Sequence, residues 1–299
     1  MTKLDAIISL NLSGLNRAHQ KLTMFFLACA VSCLLLFSFS NSLLASPLPK
    51  QNAVPGGAVA VPFTWEMPQT PHVEYRDRRV MAIKHEQQWY AVIGIPLNAR
   101  AGEHQFSVRE SANTTAQTQS FTVKAKEYEA QYLTIKNKRK VNPNPDDLKR
   151  IRKEKIRITQ AFQSWTTANT PNLKFLRPAE GPMSSPFGLR RFFNQQPRKP
   201  HSGLDIAAPI GSPIVAPEDG TVVTIGDFFF NGKSVFIDHG YGLVTMYCHM
   251  DRIDVEEGQS IKRGEQLGTI GKSGRVTGPH LHWSVSLNNT RVDPILFID

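Results

Sequence analysis

The chain has 299 residues, a formal net charge of +10 and a sequence pI of about 9.6. That length suits about two domains. The basic balance favours contact with acidic polymers, whether nucleic acid, anionic lipid or cell-wall polysaccharide. With only three cysteines, two of them in the first apolar run, no intramolecular disulfide can staple the rest.

Residues 22–39, LTMFFLACAVSCLLLFSF, carry no charge and are nearly all apolar. Lys3, Arg17 and Lys21 precede them, and NSLLASP follows with Ala45 as a cleavage position. This pattern predicts a secretory signal. An 18-residue apolar run is also just long enough to be an uncleaved membrane anchor. Either reading exports the remainder to the periplasm or the exterior and argues against a nucleic-acid partner. Loss of residues 1–45 removes three positive charges and Asp5, so the net charge falls only from +10 to +8. Cys29 and Cys33 lack the flanking pattern of a lipoprotein signal. Cys248 is then alone, and reads as a small buried side chain rather than a nucleophile.

Residues 46–127 predict a small β-domain. VPGGAVAVPF, RVMAIK, WYAVIGIPL and FTVKA are short β-rich runs between turn residues, among them Pro55–Gly57 and Ala101–Gly102. His72, His85 and His104 are scattered singly here and read as surface histidines.

Residues 128–174 predict a connector. KNKRK at 136–140 reads as a solvated basic patch. In the segment that follows, Asn144 can cap a helix, Pro145 can open it, and Asp146 and Asp147 sit at its positive end. Leu148, Ile151, Ile158, Phe162 and Trp165 would share one helical face.

Residues 175–299 change character. Glycine and proline recur between short β-branched runs, which predicts an antiparallel β-domain. The fold class is therefore mainly β, with a helical connector. Five histidines fall in this part: His201, His239, His249, His280 and His282. As a strand, HLHWSV puts His280, His282 and Ser284 on one face and Leu281, Trp283 and Val285 on the other. In HSGLD, a loop leading into a strand can fold His201 back beside Asp205. Imidazole and carboxylate suit zinc, and a catalytic zinc site takes three protein ligands and leaves one position open. His201, Asp205 and one histidine of HLH would supply them.

These segments resemble the lysostaphin/LytM-type zinc endopeptidases of bacterial cell walls. SSPFGLR, HSGLDIAAPIGSPIVAPEDGTVV, VFIDHGYGLVTMYCHM, VEEGQSIKRGEQLGTIGKSGRVTGPHLHWSV and DPILFI stand in family order. Residues 46–127 resemble, more loosely, the N-terminal β-domain of some secreted members. The resemblance implies a duplicated-hybrid-motif-like catalytic fold and hydrolysis of peptidoglycan crosslinks by zinc-activated water. It implies one Zn2+ per chain on His201, Asp205 and His282, with His249 and His280 as non-ligand catalytic histidines. His280 is the preferred base, and His239 reads as structural. The implied partners are the peptide stems and crosslinks of peptidoglycan. Two alternatives are a non-catalytic wall-binding activator of amidases and a secreted toxin with the same chemistry. Lys262, Arg263 and Lys272 are candidates for retention on an anionic wall. The loops SPFGLRRFFNQQPRK and FFFNGK are expected to shape specificity, and the N-terminal domain to cover the cleft until displaced.

Overall fold

A computed structural model describes residues 48–111, 114–167 and 170–298. The apolar run at 22–39, with Cys29 and Cys33, lies outside them. Among the described residues, no helix is long and apolar enough to cross a membrane.

Six strands form the N-terminal sheet: β1 (Ala58–Phe63), β2 (His72–Tyr75), β3 (Arg78–His85), β4 (Gln88–Gly94), β5 (Gly102–Arg109) and β6 (Gln117–Val123). They pair in the order β1-β4-β3-β2-β5-β6, and every pairing is antiparallel. The central strands are apolar on both faces. Val80 and Ala82 of β3, with Ala91 and Ile93 of β4, pack within the sheet's own core. Met81, Ile83 and Val92 instead join the core of the C-terminal part. A strand buried on both sides reads as a continuous apolar run, as VMAI and AVI do here.

Next come β7 (Ala130–Leu133) and helix α1 (Pro145–Phe162). The helix starts as its sequence predicts. Asn144 accepts from the Asp147 backbone N–H at 2.8 Å, and the Asp147 carboxylate accepts from the Asn144 N–H at 3.2 Å. This reciprocal box satisfies two helix-end donors. Only the C-terminal part of the predicted face is used. Ala161 and Phe162 are buried against Phe228 and Phe236, while Leu148 is 42% exposed. Trp165 lies beyond the end of the helix. The 136–140 run is also more engaged than expected. Arg139 pairs with Asp147, and Lys140 lies over the Phe229 ring.

The C-terminal part contains β8 (Met183–Ser185), β9 (Arg190–Phe193), β10 (Gln196–Pro197), β11 (Leu204–Ala207), β12 (Pro213–Val215), β13 (Gly220–Phe228), β14 (Gly232–Gly240), β15 (Leu243–Ile253), β16 (Ser260–Ile261), β17 (Gln266–Ile270), β18 (His280–Leu287) and β19 (Thr290–Val292). Its main sheet runs β16-β13-β14-β15-β18-β11-β8, all antiparallel. A small sheet, β10-β9-β7, brings in the connector, with β7 parallel to β9. The connector is thus not helical alone.

β18 organises the molecule. Its first residue is His280, and its last, Leu287, belongs to the core shared with the N-terminal sheet. Asn288 just beyond accepts from the Gly94 N–H at 2.8 Å. The N-terminal sheet therefore docks at the far end of β18, roughly 20 Å along the strand from His280.

Candidate metal centre

The period-two reading of HLHWSV holds in the structure. Leu281, Trp283 and Val285 have no exposed surface and lie in the main core. His280, His282 and Ser284 face the other way. β18 sits between β11 and β15, with His282 opposite Asp205 on one side and Cys248 on the other. The register of β11 thus delivers the carboxylate directly beside the imidazole. His201, in the loop before β11, turns back onto the same point. Gly203 makes this approach feasible, because a Cβ there would lie 2.4 Å from the Trp283 carbonyl oxygen and 2.8 Å from the His282 ring.

Three ligand atoms converge. His201 Nε2 lies 2.9 Å from Asp205 Oδ1 and 3.0 Å from His282 Nδ1, and His282 Nδ1 lies 2.8 Å from Asp205 Oδ1. The other nitrogen of each imidazole is anchored. His201 Nδ1–H donates to the Pro186 carbonyl at 2.7 Å. A carbonyl can only accept, so the hydrogen is on Nδ1 and Nε2 turns a lone pair inward. Ser284 Oγ, 3.0 Å from His282 Nε2, lets that ring do the same through Nδ1. The second carboxylate oxygen of Asp205 accepts from Arg191 Nη2 at 2.9 Å, which leaves Oδ1 for the cluster. All three residues are buried. Lone pairs gathered this closely out of water could hold a cation, and the two-nitrogen, one-oxygen donor set suits a borderline-soft divalent ion. The anchoring partners fix ring orientation and tautomer, as outer ligands of metal sites do.

The local electrostatics fit this arrangement. Burial opposes a charge on Asp205, but the His201 and His282 imidazoles beside it outweigh that and hold the carboxyl well below its usual range. Burial pushes His282 down to about 4. An imidazole held neutral is the form that binds a metal.

Two further histidines stand beside the cluster. His280 Nε2 is 3.9 Å from Asp205 Oδ1, and its Nδ1–H donates to the Gly278 carbonyl at 2.9 Å. His249 Nδ1–H donates to the Ser273 carbonyl at 2.8 Å. The two ring centroids are 4.9 Å apart, and each ring keeps an Nε2 lone pair for the cleft. Burial, with His280 and His282 close by, drives His249 well below the ordinary histidine range.

His249 reaches the cleft by a break in strand geometry. Tyr247 and Met250 both point into the main core, while Cys248 points to the cluster under α1. Simple alternation would send His249 to the Tyr247 side. Its backbone is instead left-handed, at φ 64°. The β14–β15 register shifts there, with three residues of β15 spanning two of β14. This one-residue bulge re-aims a side chain, a use common beside active sites.

The cleft divides into two cavities of about 330 and 250 Å³. His201, His282 and Phe230 line the larger, and Asp205 and His280 the smaller. Arg191, Phe193, His249 and Arg275 line both. Among the described residues, the N-terminal β-domain contributes no lining residue to either. The connector does, through Gln131, Leu133 and Ile135 of the smaller cavity.

Comparison with known proteins bears on this site. The profile of Peptidase family M23 matches residues 199–294, and that of its N-terminal domain matches residues 51–126. A solved structure described as a peptidase M23 from Pseudomonas aeruginosa is 42% identical, with a TM-score of 0.70. The match covers 86% of this chain and 98% of that one. The chain belongs to peptidase family M23. Peptidoglycan DD-endopeptidase ShyB of Vibrio cholerae is 42% identical over 94 residues, 31% of this chain and 22% of that protein. ShyA of the same organism is 40% identical over 112 residues, 37% of this chain and 26% of that protein. The M23 chain thus spans about a quarter of the length of the curated relatives it matches.

The other singled-out residues of this M23 chain fall elsewhere. His239 is buried, with Nδ1–H donating to the Asp219 carbonyl at 2.7 Å and Nε2 at 2.7 Å from Thr245 Oγ1. Burial pushes it down to about 4. Cys248 is buried, and burial pushes its thiol up to about 12, far from nucleophilic. Lys262 and Arg263 are paired with Asp219 and Glu218, while Lys272 is exposed. Arg191 and Arg275 escaped sequence reasoning. Their only signal is position, in RRFF and SGRV, and the chain has many other arginines.

Proposed function

We propose that the chain is an exported zinc endopeptidase that hydrolyses peptide crosslinks of bacterial peptidoglycan during wall remodelling. The observation that carries this reading is the convergence of three anchored, inward-facing ligand atoms beside two imidazoles with free Nε2 lone pairs. Membership of family M23 and the relatives named as peptidoglycan DD-endopeptidases support the substrate class. The apolar run at 22–39 supports export to the periplasm or exterior, by a cleaved signal or as an anchored protein.

In this reading His201, Asp205 and His282 hold the zinc ion. When bound, zinc polarises the scissile carbonyl and brings the pKa of its water down towards about 7. The protein residues do the rest. Arg191 and Ser284 keep Asp205 and His282 aimed. His280, beside Asp205, accepts the proton of the attacking water at Nε2. His249, 4.9 Å away between ring centroids, presents its Nε2 lone pair as a second acceptor that orients that water, and the proton taken up by His280 is returned to the leaving amine. The backbone carbonyls on both Nδ1 atoms hold the rings so that Nε2 faces the cleft in each. The left-handed turn at His249 is local strain spent on placing that ring.

Purified sacculi incubated with the protein, with mass spectrometry of the released fragments and metal analysis of the enzyme, test the reading. Release of cleaved crosslink peptides with one zinc per chain is the expected result. Zinc without cleavage would leave a wall-binding role, and cleavage that survives removal of the metal by a chelator would refute the assigned mechanism.

A further inference from the structure

Arg191 and Arg275 line the cleft, Arg198 lies near enough for its charge to act on Arg275, and the partners of the three differ. Arg191 is committed to a carboxylate, Asp205. Arg198 is committed to neutral acceptors: the Val141 carbonyl at 3.0 Å, Asn142 Oδ1 at 3.3 Å and Gln196 Oε1 at 2.6 Å. Arg275 has only a 3.4 Å contact to the Lys140 carbonyl and no acidic partner among the described residues. Its guanidinium is held between two aromatic faces, with its carbon 4.6 Å from the Phe193 ring centre and 4.4 Å from that of Phe230. The backbone is equally fixed. Arg275 N–H donates to the Phe230 carbonyl at 2.9 Å, and Gly274, at φ 79°, lies so close to Gly232 that a Cβ would come within 2.5 Å of its nitrogen.

Arg275 is thus a pre-positioned, half-buried cation without a counter-charge among the described residues, and it lines both cavities, as His249 does. Burial and the charges of Arg191 and Arg198 push it down to about 10. An arginine in such a place is costly unless a ligand supplies the missing charge, and its planar fork matches a carboxylate.

Building on the endopeptidase reading, we propose that Arg275 is a specificity-determining residue that binds a free carboxylate carried by the crosslink beside the scissile amide. A diaminopimelate crosslink has that carboxylate on the residue that donates the amide nitrogen. A glycine bridge has none. Arg275 would therefore select the former, and a substrate lacking the carboxylate would leave the guanidinium desolvated and unpaired.

Two synthetic crosslinked peptide dimers test this, one with the free carboxylate and one with a primary carboxamide at that position. The zinc-loaded wild type is expected to cleave the acid with a kcat/KM about 10- to 100-fold higher than the amide, the range for a charged hydrogen bond. Arg275→Gln should lose rate on the acid, chiefly through KM, and erase the preference between the two dimers. Arg275→Lys should keep part of the preference. Matched metal content and unfolding midpoints show that the variants are folded. Equal losses of Arg275→Gln on both dimers, or no preference in the wild type, would overturn the proposal. If the wild type cleaves neither dimer, the endopeptidase reading falls and calorimetric binding decides. Weaker binding of the acid dimer alone by Arg275→Gln would then support carboxylate recognition, and equal binding would overturn it.

Discussion

The N-terminal and C-terminal parts are both antiparallel β-structure and both carry histidines, yet they use them differently. In the N-terminal sheet, His104 has both nitrogens engaged, by Tyr75 Oη at 2.6 Å and by the Arg100 carbonyl at 2.9 Å. His239, inside the C-terminal part, has both nitrogens engaged as well. The four cleft histidines have one nitrogen anchored and the other turned to a shared point. The difference between a structural and a chemical imidazole is therefore one of bookkeeping by nitrogen, since burial alone would group His239 with His282.

The largest expected effect breaks the cluster outright. His282→Ala removes one converging ligand and leaves Asp205 and His201 facing a gap. Zinc content measured on the folded protein should fall to background, and dye release from sacculi should vanish with it. Next, His280→Ala removes an imidazole with a free Nε2 but no place in the cluster. Zinc should stay at one per chain while the rate falls by about 10²–10⁴-fold. If this variant lost zinc when folded, the division between ligand and proton carrier would be wrong.

How much of this was legible in the sequence follows from the same geometry. His280 and His282 could be placed on one face because β18 is regular and period two applies. His201 and Asp205 could be joined by spacing and a glycine. His249 could not be placed by period, because the bulge at φ 64° sends it to the face that alternation denies. It came only from the resemblance. In the N-terminal sheet β2 was missed. Its turn to β3 is Arg76–Asp77, and the β3–β4 turn is Glu86–Gln87, all four with positive φ. Two-residue turns of that kind are announced by Asn or Gly, and tertiary packing overrides the local preference here. The run GEHQFSVR was missed as β5 because only Phe106 and Val108 are buried in it. Arg191 and Arg275 were illegible because charge in a sequence says nothing of which guanidinium finds a carboxylate.

A subtler change tests whether the cluster depends on the close passage of its loop. Gly203→Ala puts a methyl where the Trp283 carbonyl and the His282 ring already are. The loop must lift and carry His201 with it. Zinc affinity, measured by competition with a chelating dye, should drop about 10- to 100-fold, the range for disturbing a ligand's support. Unchanged affinity would mean that the loop is adaptable. His239→Ala then separates burial from function. It leaves a cavity and strips the Asp219 carbonyl of its donor, so the urea midpoint should report a loss of about 2–4 kcal/mol. Zinc content should be unaffected.

The smallest effect completes the contrast. His104→Ala removes an imidazole that, like His239, has both nitrogens engaged, but sits half-exposed in the N-terminal sheet. Tyr75 Oη loses one hydrogen bond, worth about 1 kcal/mol. The sheet's core residues Phe106 and Val108 are untouched, and the docking contacts lie on other strands, at Gly94 and Asn288. Urea unfolding should show that small loss, while zinc content and sacculus hydrolysis match the wild type. A fall in hydrolysis would mean that the N-terminal sheet communicates with the cleft through β18. An imidazole satisfied at both nitrogens could then still matter to the chemistry, and the nitrogen rule would need that exception.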